Sequence, residues 1–248
     1  DSDIRPIGSP EGRPRARRER AAAVSLGPMA RHAGRQPSFD REKVVDVALG
    51  QGLDRFTLAS VAKELGVSAP SLYRVVRSRD ELVDLGLKRV GSAMVDPDRP
   101  LGELPEGTPR WRALLERYRD DFWALLASYP GFATTIATTP GAHAHAQRYL
   151  QRLLGAVSRA GFPGTDPDIE FLLDFIGDLV LSTFLMTEPM REVGEDGLTG
   201  LQRARRALEA AGGDPLLLVR DDWAERGNLD AKVAFVLDAV EAGLRPRD

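Results

Sequence analysis

The chain has 248 residues, of which 42% are hydrophobic, and it carries a formal net charge of −3 with no cysteine. This length allows a buried core and two small domains, while the lack of cysteine excludes disulfides and thiolate metal sites. No run of the sequence is apolar enough to predict a membrane span, so we expect a cytoplasmic protein without a membrane partner.

Residues 1–38 contain eight arginines among Pro and Gly residues and have no sustained apolar period, which predicts a flexible arm. Arg15, Arg17 and Arg18 are candidates to enter a DNA minor groove, whose negative potential attracts guanidinium groups. The alternative is a solvated arm that touches no DNA, and the sequence leaves both open.

The two parts of the chain differ in charge. Residues 1–93 contain 17 Lys and Arg against 12 Asp and Glu, a formal +5, whereas residues 94–248 contain 17 against 25, a formal −8. The N-terminal part is therefore expected to bind a polyanion and the C-terminal part is not.

Residues 39–94 are predicted to form a three-helix, helix-turn-helix DNA-binding domain. A first helix is expected from Phe39 to about Gln51. Thr57 caps a second helix, whose apolar residues recur at helical spacing until Gly66 ends it.

The third helix of this domain is predicted to read DNA. Ser68 caps it and Pro70 lies in its first turn, where no backbone donor is lost. Its outer face has small polar groups, Tyr73 and arginines, which suits a major groove. The segment from Ser78 to Glu81 predicts a capping box for a following helix that runs to about Met94.

The run LGVSAPSLYRVVRSRDEL resembles the DNA-binding domain of the TetR family of bacterial transcriptional repressors. The shared pattern is Leu-Gly-Val, a capping Ser, a Leu-Tyr pair and Ser-basic-acidic-Glu-Leu. The resemblance implies operator contacts by Ser68, Ala69, Pro70, Ser71, Tyr73 and Arg74, and phosphate contacts by Thr57, Arg77 and Arg79. Ala59 stands where some members of the family carry a base-reading arginine, so that contact is not expected here.

After a linker at residues 95–109, residues 110–248 are predicted to form a helical effector-binding and dimerisation domain. Expected helices are Trp111–Tyr129, Phe132–Thr139, Ala142–Ala160, Asp168 to about Thr187 after the cap Asp166, Leu198–Ala211, and Leu229–Leu244 after the cap Asn228.

The helix that begins at Asp168 is apolar on nearly every side, which suggests contacts beyond its own core. With the last helix it is expected to form a four-helix bundle with a second copy, the homodimer that the family resemblance implies. The alternative is that both helices only fill the core of one chain. The candidate interface residues are Phe171, Phe175, Asp178, Leu181, Val233, Val236 and Val240.

An excess of aromatic and thioether side chains predicts an effector pocket in the same domain. The candidates are Trp111, Phe122, Trp123, Tyr129, Phe132, Thr135, His143, Phe184 and Met186. For each of them, ordinary core packing is the alternative. Family members that bind tetracycline with magnesium carry histidines where Thr135 and Val95 stand here, so the resemblance implies an apolar or aromatic effector and no metal.

Together these features predict a homodimeric repressor that binds a palindromic DNA operator and is released by a small hydrophobic effector. The alternative is an effector-independent DNA-binding regulator or architectural protein. An enzyme is not expected, and no cofactor is implied. The Ser-x-x-Lys match at Ser60 lies inside the second helix of the DNA-binding domain and lacks its companion motifs.

Overall fold

A computed structural model describes residues 39–214, 216 and 219–246 of the chain. These residues form helices and one isolated antiparallel bridge, between Val193 and Thr199, so the predicted all-α fold is confirmed. The predicted arm, with Arg15, Arg17 and Arg18, lies outside the described residues. Within the described part of the chain, no helix has both the length and the apolar character needed to cross a membrane.

Four helices form the predicted DNA-binding region. They are α1 Arg41–Gln51, α2 Leu58–Glu64, α3 Ala69–Leu72 and α4 Arg79–Ala93. Side chains of Asp40, Thr57, Ser68 and Ser78 cap the four helices in turn, each accepting a backbone N–H three residues later. Short-range hydrogen bonds therefore fix where each helix begins.

Three local expectations in this region need correction. The first helix begins at Arg41 rather than Phe39, because Asp40 is its cap. The third helix has only four α-helical residues, and the turns after Leu72 tighten to i→i−3 bonds such as Val75 N–H to Leu72 O. The predicted capping box is half formed: Glu81 accepts from the amide of Arg77 instead of Ser78, at 2.6 Å.

The remaining helices form the C-terminal region. They are α5 Arg110–Ser128, α6 Phe132–Thr138, α7 Gln147–Arg159, α8 Asp166–Arg191, α9 Gly200–Ala210 and α10 Leu229–Glu241, with 3-10 helices at Ala142–Ala146 and Asp221–Ala224. α5 packs against α7 and α8, and α10 packs against α8. A single core therefore runs between these helices.

Some boundaries in this region differ from the predictions. The expected helix over residues 142–160 is split, because Ala142–Ala146 is a 3-10 helix and α7 starts only at Gln147. α8 is capped by Thr165 rather than Asp166 and continues past Pro189 to Arg191. Asn228 precedes α10 but makes no side-chain capping bond.

The DNA-binding and C-terminal regions belong to one compact unit, and their division at residue 94 remains a prediction. The α1–α2 turn contacts the α5–α6 loop, where the amide of Leu53 donates to the carbonyl of Pro130 at 3.0 Å. Gly131, at φ +71°, adjoins Asp54 so closely that a Cβ would overlap its carboxylate and backbone. Backbone contacts thus join the two regions.

Candidate nucleic-acid interface and effector cavities

The α3 segment presents the side chains that the sequence assigned to DNA. Leu72 is buried in the core below it, while Ala69, Pro70 and Arg74 are exposed and Tyr73 is 54% exposed. Small groups at the start of the segment and longer polar groups at its end leave a surface that a major groove can accept without steric conflict.

Two of the assigned hydroxyls are already engaged as helix caps. Thr57 Oγ1 accepts from the amide of Ser60 at 3.0 Å, and Ser68 Oγ lies 2.9 Å from Ser71 Oγ. These groups hold the starts of α2 and α3 in place. We therefore assign these two hydroxyls primarily to helix capping and only secondarily to contact with DNA.

Arg79 is the assigned residue whose surroundings differ most from the expectation of a free phosphate ligand. Its guanidinium donates to the carbonyls of Leu53, Asp54 and Phe56 at 2.8–3.2 Å and lies 4.9 Å from the centre of the Phe56 ring. This side chain joins the start of α4 to the α1–α2 turn. Arg77, which is exposed, remains the candidate for a phosphate at this point.

Arg41 is a residue of this region that the sequence analysis did not single out. Its guanidinium donates to the carbonyl of Val75 at 3.1 Å and lies 3.6 Å from Glu81. Arg89 similarly joins α4 to Glu42 and Asp46 on α1. These contacts join residues that are far apart in the sequence, and sequence spacing alone gives no sign of them.

The positive charge of the N-terminal part lies mostly outside the described residues. Residues 1–38 carry eight Lys and Arg against four Asp and Glu, whereas residues 39–93 carry nine against eight. The folded DNA-binding region is thus nearly neutral in total. Any attraction to DNA there depends on where the individual charges lie, because long-range attraction scales with net charge.

Two adjoining cavities lie along the C-terminal half of α4, and we call them the α4 cavities. One, of about 110 Å³, is lined by Leu87, Gly91 and Met94 of α4 together with Phe122, Phe132 and His143. The other, of about 220 Å³, shares Met94 and Phe122 and adds Tyr129 and Tyr149. The helix that begins beside the predicted DNA-binding surface therefore also forms a cavity wall.

The 3-10 helix at Ala142–Ala146 is held tightly against α4 beside these cavities. His145 Nε2 lies 2.8 Å from Asp84 Oδ1. A Cβ on Gly91 would lie 2.5 Å from the carbonyl oxygen of His145. The absence of a side chain at Gly91 is what permits this approach, so a molecule that enlarged the cavity would press on α4 here.

Two tyrosines in the walls of the α4 cavities, Tyr118 and Tyr149, have a pKa that burial raises above the ordinary value. Burial, reinforced by the negative charge of Asp121, raises the pKa of Tyr149 to about 12. The phenol is therefore neutral at physiological pH and can donate a hydrogen bond to a bound molecule.

The predicted effector residues divide between different places. Phe122, Tyr129, Phe132 and His143 line the α4 cavities. The remaining candidates lie elsewhere: Trp111 packs edge-on against Phe162, Trp123 packs against Phe184, buried Thr135 donates to the carbonyl of Gly131, and Met186 lines a separate cavity. Leu87, Gly91 and Met94 of α4, which also line the walls, were not among the predicted effector residues.

A larger cavity, of about 400 Å³, lies beside the C-terminal half of α8. We call it the α8 cavity; Met186, Met190, Trp223 and Lys232 are among its lining residues. It shares no lining residue with the α4 cavities. Size alone favours it as a ligand site, but contact with α4 favours the smaller cavities as the place where a ligand would affect DNA binding.

The outer faces of α8 and α10 carry exposed apolar side chains. Phe171 and Phe175 of α8 stack at 5.9 Å and are 44% and 36% exposed, and Phe235 of α10 is 75% exposed. Val233 and Val240, by contrast, are buried in the core, so their prediction as interface residues was wrong. The outward stripe of α10 passes through Phe235, which the sequence analysis did not select.

Of the other interface candidates, Asp178 is exposed, and Leu181 and Val236 are half-buried. Leu181 and Val236 pack in part against the core, so only Asp178 of these three residues is fully accessible. Their role in an interface remains a prediction.

Solved structures with the same arrangement of helices identify the fold of this chain. A possible TetR family transcriptional regulator from Streptomyces coelicolor A3(2) superposes with a TM-score of 0.63 at 20% identity, over 83% of this chain and 100% of that one. The TetR family protein ActR of Streptomyces coelicolor, in complex with actinorhodin, gives 0.60 at 19% identity, over 83% of this chain and 97% of ActR. The chain has the fold of the TetR family.

A sequence relative agrees with the TetR-family resemblance. The HTH-type transcriptional repressor DrrR1 of Streptomyces coeruleorubidus is 30% identical over 140 residues, which are 55% of this chain and 49% of DrrR1. The match thus spans about half the length of this curated relative. No protein-family model matches the chain. The resemblance that the LGVSAPSLYRVVRSRDEL run indicated is confirmed.

Proposed function

We propose that the chain is a homodimeric transcriptional repressor of the TetR type that binds a palindromic DNA operator and is released by a small hydrophobic effector. The observation that carries the proposal is the position of α4. Its first residue, Arg79, follows the DNA-reading segment, and Gly91 and Met94 near its other end line the α4 cavities. A non-enzymatic role in the cytoplasm belongs to the same proposal.

The exposed chemistry of α3 supports DNA binding. Tyr73, Arg74 and Arg77 are exposed on the segment that follows the cap Ser68, while Leu72 anchors it from below. A segment this short reads only a few base pairs, so specific binding calls for two half-sites and a two-fold partner.

The exposed phenylalanines of α8 and α10 support that partner. Phe171, Phe175 and Phe235 present large apolar side chains to solvent on helices that also pack together. An apolar surface of this kind is typical of an interface. In sedimentation experiments, Phe235→Glu is expected to weaken the dimer strongly, whereas an unchanged dimer would remove this face from the proposal.

The proposed release is a linkage between two equilibria. An effector in the α4 cavities stabilises a position of α4 in which the two reading segments no longer match their half-sites. It can do so only as far as it binds that conformation more tightly. The close contact of Gly91 with His145 gives the cavity wall a direct mechanical connection to α4.

The primary test is selection of bound sequences from random DNA, followed by anisotropy titration of the recovered duplex. A palindrome with two half-sites is expected. Arg74→Ala should weaken binding by roughly tenfold and reduce the salt slope by about one. Arg206→Ala removes the same charge from exposed α9 and should leave both quantities unchanged. Equal behaviour of the two variants would contradict the assigned surface.

The N-terminal arm is tested separately by deleting residues 1–35. If its arginines enter the minor groove, the deletion weakens operator binding and lowers the salt slope, because fewer counterions are released. Unchanged affinity and slope would mean that the arm is a solvated segment.

An effector-independent regulator is the second candidate, and one observation favours it. The α4 cavities, at about 220 and 110 Å³, are each smaller than the roughly 300–1,000 Å³ of typical ligand pockets. Ile136→Phe, which places a larger side chain in the wall, separates the two candidates. It should weaken operator binding if cavity occupancy moves α4, and it should have no effect on DNA binding if the cavity is only a packing defect.

A further inference from the structure

The α8 cavity has a wall that is unusual for an unfilled surface hollow. Met186 is 67% exposed and Trp223 is 38% exposed, and Met190 lies one helical turn beyond Met186 on the same wall. Thioethers and an indole form adaptable and favourable contacts with flat aromatic rings. The apolar part of the cavity therefore suits an aromatic molecule better than a purely polar one.

The charged side chains at this cavity are both basic. Arg220 and Lys232 line it, and Arg220 is paired with Asp222 at 3.3 Å. Within the described residues, Lys232 has no carboxylate within ion-pairing distance. A cation without an ion-pair partner beside an apolar wall favours a ligand that combines a ring with a negative charge.

The beginning of α10 reinforces this preference. Asn228 and Gly227 lie at the cavity edge, and Asn228 does not cap the helix with its side chain. In the first turn of α10 the amide of Leu229 donates to the carbonyl of Arg226, and Asp230 of that turn is paired with Arg119 and Arg226. A helix N-terminus favours a further negative charge on a ligand. Lys232, one turn into α10, adds its charge at the same edge.

We propose that the α8 cavity is a binding site for a planar aromatic anion, such as an aromatic carboxylate, with the ring against Met186 and Trp223 and the charge at Lys232. The site is distinct from the proposed effector site, because it shares no lining residue with the α4 cavities. At about 400 Å³ it has room for a bicyclic ring system.

The test uses two probes of nearly equal shape, 2-naphthoate and the neutral 2-naphthylmethanol, titrated calorimetrically into the full-length protein. We expect 2-naphthoate to bind at least about fivefold more tightly, because it makes a charge-assisted contact. Equal affinities, or no binding of 2-naphthoate, would overturn the proposal.

Variants assign each part of the contact. Lys232→Gln should remove the advantage of 2-naphthoate and leave the neutral probe unaffected, whereas Met186→Ala should weaken both probes. Lys63→Gln, at an exposed residue of α2, is the matched control for charge and should change the affinity of neither probe. An unchanged preference in Lys232→Gln would also overturn the proposal.

Two further measurements test whether the probe binds in the α4 cavities instead, and whether the second copy of the dimer covers the α8 cavity. Ile136→Phe alters the α4 cavities and should leave 2-naphthoate affinity unchanged; loss of binding would place the probe there instead. If 2-naphthoate bound only after Phe235→Glu had dissociated the dimer, the cavity would be covered by the second copy. Either result would overturn the α8 site without deciding the proposed repressor function.

Discussion

The α4 cavities and the α8 cavity differ in what their walls are connected to. The α4 cavities are small, but one wall is a helix that starts just after the predicted DNA-reading segment. The α8 cavity is larger, yet its described walls belong to α8, α10 and the segment before α10. A ligand shifts an equilibrium only through contacts that differ between two states. For regulation, contact with the helix that follows the predicted DNA-reading segment therefore matters more than volume does.

The largest effect is expected from Gly91→Ala, which tests how firmly α4 is pressed against the 3-10 helix. The new Cβ would lie 2.5 Å from the carbonyl oxygen of His145, and backbone must move to admit it. We expect the free energy of unfolding to fall by about 1–3 kcal/mol in urea titrations.

Gly155→Ala is the matched control, since it also adds a methyl group to a helical glycine. Its Cβ would meet only the flexible end of the Arg159 side chain, at 3.0 Å. Relief of the glycine penalty should raise stability by roughly 0.5–1 kcal/mol. If Gly91→Ala were equally stabilising, the contact between α4 and the 3-10 helix would be loose, and the comparison of the two cavities would fail.

A second prediction compares filling of the two cavities. Ile136→Phe in the α4 wall should weaken operator binding about fivefold or more, the low end of allosteric couplings. Met190→Phe makes a similar addition in the α8 wall and should leave operator affinity within about twofold. Anisotropy titration of both variants on one duplex measures this difference, and the reverse ranking would assign regulation to the α8 cavity.

A smaller effect is expected from Asp84→Asn, which removes the carboxylate facing His145. The pair is 2.8 Å apart, but Asp84 is 64% exposed, and pairs of this kind contribute only about 0–1 kcal/mol. The difference in unfolding free energy should shrink in concentrated salt. Glu209→Gln removes an equal charge from exposed α9 and should show less change at low salt. Identical values for both variants would mean that the pair adds nothing.

The smallest effect concerns Asp96, just beyond the end of α4. The backbone amide of Asp98 and the guanidinium of Arg152 lower the pKa of Asp96 below its ordinary value of 3.8. A depressed pKa contributes stability that is present above 3.8 and lost as the pH falls through the folded value. Wild type should therefore lose stability more steeply than Asp96→Asn below about pH 4. If the urea midpoints of the two proteins fell in parallel as the pH was lowered, the contacts of Asp96 would contribute nothing to stability.

The helices of the predicted DNA-reading unit are the part of the fold that local sequence predicts best. Thr57, Ser68 and Ser78 each cap a helix through a bond to a residue three positions later, so the information lies within a few residues of where it acts. The tethers of Arg79 and Arg41 span 23 to 34 residues and have no local signature. The helices of this unit were thus predictable, but the long-range contacts of Arg79 and Arg41 were not.

The C-terminal helix α10 shows why helical periodicity does not predict which face of an apolar helix is buried. Val233 faces the core while Phe235, two residues on, faces outward at 75% exposure. A helix that is apolar on both faces has no polar stripe to say which face is buried. The sequence therefore predicted the helix itself but selected two core valines for its outer surface.

The α4 cavities were harder still to predict, because a cavity is defined by neighbours that are distant in sequence. Gly91 contributes by lacking a side chain, and His145 contributes through its backbone carbonyl. Neither property appears as an aromatic or apolar cluster. Phe122, Phe132 and His143, which line this cavity, were among the residues that the sequence predicted, because aromatic side chains and histidines can be selected by residue type.

The backbone junction of Leu53 and Asp54 with Pro130 and Gly131 has a practical consequence for hybrid regulators. A different sensory module would bring its own residue to the position of Gly131, where Asp54 leaves no room for a Cβ. The two short segments must therefore be exchanged as a matched set. Grafts that respect this pairing should keep communication between the exchanged modules, while mismatched grafts should fold with the modules misaligned.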